Sequence, residues 1–288
     1  MSDESSTALT PLTPPVADPL PSARPVSKTR WGIHLAVMAA LPIVAGLGGA
    51  ASRGSGPALG HDVPALLKVC GFEVLFFAAF FGLAWLASRA NRDDLLLRWR
   101  PGYWVLPLGA LYSVGIRFAA GIVVVLGGMI VMISTQASPA QVQKFAEANR
   151  PRVETLVDMQ ALTHDPVYFW LTVVLVSMVI GGLREELWRS SFLAGLRTLW
   201  PRVFASNRGG IAGAAVAALF FGVGHIPQGM LAVAMITVVG FLLGVIMSLH
   251  RSLWPSVIAH GLFDAATFAL IPWAMQHLQE WQKMNGGT

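Results

Sequence analysis

From Gly229 to Leu249 the chain carries no charged side chain, and much of its length is built from stretches of similar character. A helix needs about 20 apolar residues to cross the hydrocarbon core of a bilayer. Inside lipid each such segment must satisfy its own backbone polar groups, which a helix does. Seven apolar stretches of near-spanning length follow one another, at 31–51, 64–88, 103–134, 166–199, 210–226, 229–249 and 253–274. The expected fold class is all-α, a polytopic membrane helix bundle of about seven transmembrane helices.

Composition agrees with lipid as the main solvent. Hydrophobic residues make up 55% of the chain and charged residues 12%, against about a quarter charged in an average soluble domain. The net charge of +5 does not point to nucleic acid. Its basic residues fall mostly between apolar runs, where they set topology and meet lipid headgroups. The bilayer is the expected partner, and no nucleic acid is. A single cysteine, Cys70, excludes an intrachain disulfide and a cysteine metal cluster.

Residues 1–30 are rich in Pro, Ser and Thr and read as a disordered N-terminal tail, leaving 31–288 as the membrane domain. Arg24, Lys28 and Arg30 precede the first span. Arg89, Arg92, Arg98 and Arg100 follow the second, Arg197, Arg202 and Arg208 the fourth, and Arg251 the sixth. This bias places the N-terminus on the cytoplasmic side and the C-terminus outside. The loop 135–165, with Lys144, Arg150 and Arg152, breaks the pattern. Its apolar spacing (Val142, Phe145, Val153, Leu156, Val157) suggests an amphipathic helix along the interface. Trp31, Trp85, Tyr103, Trp104, Tyr168, Trp200, Trp254 and Trp273 fall near span ends, as interfacial aromatics do.

Ionisable groups at bilayer depth cost several kcal/mol and mark function by default. Four places qualify: Arg184-Glu185-Glu186-Leu187-Trp188-Arg189 on the fourth helix, His225 closing the fifth, His260 and Asp264 on the seventh, and a looser set of Lys68, Glu73 and Arg117. Two adjacent carboxylates repel each other and push one toward the basicity a general base needs. His260 and Asp264, four apart, share a helix face. Two histidines with one or two carboxylates suit activation of a water and stabilisation of an oxyanion. They suit Zn²⁺ equally, with Glu185, His225 and His260 as its ligands. Such a site requires the fourth helix to continue to Leu199, which sets Glu185 roughly 21 Å from its basic end.

Plainer readings stand beside these. Glu185 and Arg189 are spaced for a simple i,i+4 ion pair, and His225 before Pro227 suits a turn. Glu73 and Arg117 receive no role, and His34, His61, His164 and His250 look like ordinary helix-end residues.

Glu185-Glu186, then Phe221-x-x-x-His225, then His260-x-x-x-Asp264 resemble the three motifs of the CPBP family of intramembrane proteases. That family includes type II CAAX prenyl endopeptidases and bacteriocin-processing (Abi) or self-immunity proteins. The similarity covers roughly 165–275, which would be the catalytic core. The resemblance implies that Glu185 activates water with help from His225, with Glu186 as its partner. It further implies that His260 and Asp264 orient the substrate carbonyl and stabilise the oxyanion. The substrate would be a membrane peptide or lipidated protein, and the location a bacterial cell membrane. Two positions depart from the pattern: Ser190 stands where the family has arginine, with Arg189 one residue early, and Asp264 stands where many members have asparagine. An ionised aspartate cannot donate to an oxyanion, so Asp264 must be protonated, orient His260 or bind metal. The expected function is an intramembrane endopeptidase. The alternatives are a catalytically silent scaffold or immunity protein and, from another class, a proton-coupled transporter.

Overall fold

The structure, a computed structural model, describes residues 27–51 and 56–284. The expected tail lies outside the described residues as far as residue 26, and its last residues already belong to α1 (Lys28–Ala51). The helices that follow are α2 (Val63–Ser88), α3 (Val105–Thr135), α4 (Pro139–Asn149), α5 (Met159–His164) and α6 (Pro166–Trp170). A π-helical segment, Leu171–Glu185, joins α6 to α7 (Glu186–Leu199). Then come α8 (Pro201–Phe204), α9 (Asn207–Val223), α10 (Met230–His250) and α11 (Trp254–Met284). No strand occurs among the described residues.

Among the described residues six helices are long and apolar enough to cross a membrane, and Pro166–Leu199 is one continuous rod of 34 residues. The long fourth helix that the site requires is therefore present. The fifth apolar stretch differs from expectation. As α9 it has 17 residues, about 25 Å of helix, because His225 and Pro227 turn the chain into a short 3₁₀ segment at Ile226–Gln228.

Local chemistry sets the helix ends. Asp62 caps α2 by accepting from Ala65 N–H, Ser206 caps α9, and Asp158 and Asp165 cap α5 and α6. Two basic residues, Arg89 and Arg251, close α2 and α10 in the left-handed conformation.

The main core cluster joins Met38 of α1, Trp188 and Phe192 of α7, Phe221 of α9 and Val257 of α11. A second forms around Leu66, Tyr168, Val176, Ile180 and Phe268. Helix α3 buries only a narrow stripe (Gly109, Ser113, Ile116, Ala120). Gly109 lets it approach α11 closely, since a Cβ there would press on Ile258. Its other face, with Phe118 and Ile133 about 70% exposed, offers lipid an apolar surface.

Several expectations about the periphery change. Trp31 and Tyr168 are buried rather than interfacial. Tyr168 donates to the Gly60 carbonyl, which ties α6 to the segment before α2. The 135–165 connection is not a free amphipathic helix: α4 is largely exposed, while Val157 and Leu162 sink into the second core. His34 is no helix-end bystander. It is 1% exposed, with Nδ1 3.0 Å from the Ala84 carbonyl and Nε2 2.9 Å from that of Ser191, linking α1, α2 and α7.

Candidate active site

Continuous winding through residue 185 carries the two glutamates to the junction between the π-helical segment and α7. π-helical turns are frequent at functional sites, and here the change of winding falls between Glu185 and Glu186. The pair then faces different surroundings. Glu186 is fully buried, whereas the Glu185 side chain keeps 16% of its exposure.

Glu186 is the hub. Nδ1 of His260 donates to its Oε1 at 2.9 Å, and the Arg189 guanidinium pairs with the same oxygen. Arg189 thus meets Glu186 at i,i+3, not Glu185 at i,i+4 as its spacing allowed. Its guanidinium carbon stands 4.5 Å over the Phe221 ring, a cation–π contact inside a desolvated site. Gly240 and Gly244 of α10 leave room for that side chain, since a Cβ at Gly240 would stand 3.3 Å from Arg189 Nη2. Ser190, in the position the family gives to arginine, instead donates to the Leu95 carbonyl. It fastens α7 to the loop after α2.

With Nδ1 committed to Glu186, the Nε2 of His260 is left toward Glu185 and Asp264. It lies 3.7 Å from Glu185 Oε2 and 3.5 Å from Asp264 Oδ2. Gly181 makes the approach possible, because a Cβ on it would collide with the Asp264 carboxylate. Gly182 and Gly261 bring the two helices together in the same way, the former 3.3 Å from Gly261 Cα once a Cβ is added.

His225 arrives from the end of α9. Its Nδ1 donates to the Phe221 carbonyl at 2.9 Å, which leaves Nε2 with a lone pair in the neutral ring. The Phe221 ring lies 4.8 Å from that of His225 and 6.3 Å from that of His260. Glu185 and His260 are both near enough to act on His225 electrostatically. His225 is thus at once the turn residue of the plain reading and a neighbour of the carboxylates.

Three residues joined to the site were not assigned to it from sequence. Arg184 pairs with Glu185 Oε1 at 3.0 Å and also with Glu73 of α2. Arg117 of α3 donates to the Phe263 carbonyl and stands over the Phe263 ring, next to Asp264 in sequence. Glu73 and Arg117 had been seen as intramembrane charges, but nothing in one helix reveals its partner in another. Lys68, grouped with them, is exposed.

Among the described residues no three His, Cys, Asp or Glu side chains are gathered closely enough to hold a metal ion. A carboxylate holds His260 Nδ1 and an arginine holds Glu185 Oε1, which leaves His260 Nε2, His225 Nε2 and Glu185 Oε2 as the open groups. The donors that remain suit a water and a peptide carbonyl.

No curated protein and no solved structure matches the chain. Residues 166–266 match the family Rce1-like, described as "Type II CAAX prenyl endopeptidase Rce1-like". The matched stretch contains all five candidate site residues, Glu185, Glu186, His225, His260 and Asp264. Over these residues the chain is similar to the type II CAAX prenyl endopeptidases, which supports an intramembrane CAAX-type endopeptidase in general.

Proposed function

We propose that the protein hydrolyses a peptide bond in a membrane-associated or lipidated peptide by means of a water activated at Glu185. The single observation that carries the reading is the divergence of the two adjacent glutamates. Glu186 is buried and consumed by His260 and Arg189, while Glu185 keeps an oxygen directed toward His260 Nε2.

In this reaction Glu185 removes a proton from water while His225 Nε2 accepts from the same molecule. The water oxygen bonds to the carbonyl carbon, and the carbonyl π-electrons move to its oxygen. His260 carries both ring protons in this reading: Nδ1–H on Glu186, and Nε2–H toward Asp264 and the oxyanion. Asp264 serves as an acceptor that orients His260, consistent with an aspartate that cannot itself donate when ionised. Collapse of the intermediate breaks the C–N bond, and the proton held by Glu185 passes to the leaving amine. A positioned general base contributes about 10²–10⁴-fold, and the donors to the oxyanion a comparable factor.

The reading extends to a cytoplasmic N-terminus, from the Lys/Arg bias, and to a substrate that enters from the lipid between helices. Purified protein in proteoliposomes, offered a prenylated C-terminal peptide and its unmodified twin, tests it. Cleavage of the lipidated peptide with release of its last residues is expected. If neither peptide is cut while the unaltered protein binds the lipidated one, the silent scaffold replaces the protease.

A further inference from the structure

Helix α9 has the candidate site at its C-terminal end. At its N-terminal end, about 25 Å away, a separate cavity of ≈ 290 Å³ opens between α7, α8, α9 and the turns before α3 and after α10. Three arginines line it, Arg100, Arg197 and Arg251, each from a different segment. Arg197 and Arg251 are near enough to act on one another electrostatically. None of the three has an ion-pair partner among the described residues.

The wall is built rather than incidental. Arg197 donates to the Asp94 carbonyl at 2.7 Å, which fixes its guanidinium. The loop that carries Arg100 is pinned to the start of α11 by three hydrogen bonds. Ser252 donates to the Arg98 carbonyl, Leu253 N–H to that of Leu96 and Trp254 Nε1–H to that of Leu97. The one acidic residue of the lining, Asp93, is already bound by Arg98. Ser206, Asn207 and Gly209 present the positive end of α9 to the same space. Asp93 is held by Arg98, and the charge of Asp94 also reaches Arg197, yet three arginines leave the lining net positive. That calls for an anion with several acceptor oxygens, and a phosphate group matches arginine forks best.

Depth decides the source. Trp99 adjoins Arg100 in sequence and Trp200 follows Arg197 by three residues, both about half exposed, and tryptophans of this kind sit at headgroup level. At about 30 Å³ per water-sized group, the volume holds a phosphate together with the polar part of a headgroup. We propose that this cavity seats the phosphate of an anionic phospholipid headgroup, at a site distinct from the candidate catalytic centre.

The test titrates the full-length protein in detergent with phosphatidylglycerol and, separately, phosphatidylcholine, and counts bound lipids by native mass spectrometry. Phosphatidylglycerol should bind about tenfold tighter or more. Arg100→Gln with Arg251→Gln should abolish that preference. Arg202→Gln with Arg208→Gln, which removes two exposed arginines from outside the cavity, should keep it. Equal loss in both pairs, or no preference in the unaltered protein, overturns the site. Displacement of the lipid by about 10 mM inorganic phosphate overturns the lipid assignment in favour of a free anion. Should the double variant fail to elute as a folded species, Arg100→Gln alone, on an exposed loop, must still weaken phosphatidylglycerol binding.

Discussion

Nδ1 of His260 meets Oε1 of Glu186 at 2.9 Å, joining two helices through residues 74 apart in the chain. This bond fixes which face of the imidazole looks toward Glu185. It also leaves Glu186 buried and held while Glu185, the proposed base, stays partly exposed, so replacing them should have opposite consequences.

Glu186→Gln leaves the fully buried Arg189 without a counter-charge. Breaking a buried ion pair by removing one partner costs about 3–5 kcal/mol. Thermal unfolding in detergent should therefore show a large loss of stability for Glu186→Gln, and little change for Glu185→Gln. Equal melting behaviour in the two variants contradicts the assignment.

Glu73 acts on the reaction only through Arg184, which it holds against Glu185. A hydrogen bond to a charged group contributes about 1.5–3 kcal/mol, so Glu73→Gln should lower kcat about tenfold or more with KM little altered. Its pH–rate profile should shift as well, because the charge beside Glu185 is rebalanced. A changed KM with an unchanged profile assigns Glu73 to packing.

Gly181→Ala inserts a methyl group where the Asp264 carboxylate stands. Overpacking of this kind costs about 1–3 kcal/mol. The carboxylate must turn away from His260, so activity should fall further than stability. Gly115→Ala on α3, where a Cβ meets nothing within 4 Å, is the matched control and should leave both unchanged.

Asp158, outside the spans, accepts the Ala161 and Gln160 amides and pairs with His61 at 2.6 Å. The Ala161 amide first, and His61 next, hold its carboxyl below the usual aspartate range. A lowered folded value means the stabilisation is present at neutral pH and is lost as pH falls below the ordinary range through that value. Limited proteolysis near α5 should accelerate in acid. Asp158→Ala, which removes the cap acceptor, should be cut readily at every pH, and an acid-insensitive unaltered protein contradicts the cap.

The architecture was legible because lipid imposes a coarse rule, and 229–249 or 166–199 cannot be misread under it. The three motif segments were legible because charge inside such runs stands out. What escaped was partnership across helices. Arg184 with Glu73, or His34 with Ala84 and Ser191, joins groups far apart in sequence, and no periodicity encodes which helix will lie alongside. The pairing of Arg189 with Glu186 rather than Glu185 escaped for a different reason. Partners at i,i+3 and at i,i+4 share one helix face, so spacing alone does not choose between Glu186 and Glu185. Interfacial positions were overcalled at Tyr168 and Trp31, where an aromatic near a helix end serves the core instead.

The central claim is that Glu185 supplies the base. It is tested most directly by the cleavage rate of a lipidated peptide in proteoliposomes that contain either the unaltered protein or Glu185→Gln. The account predicts a fall of about 10²-fold or more in a variant whose melting temperature is unchanged. A folded Glu185→Gln protein that cuts within a few-fold of the original rate contradicts it.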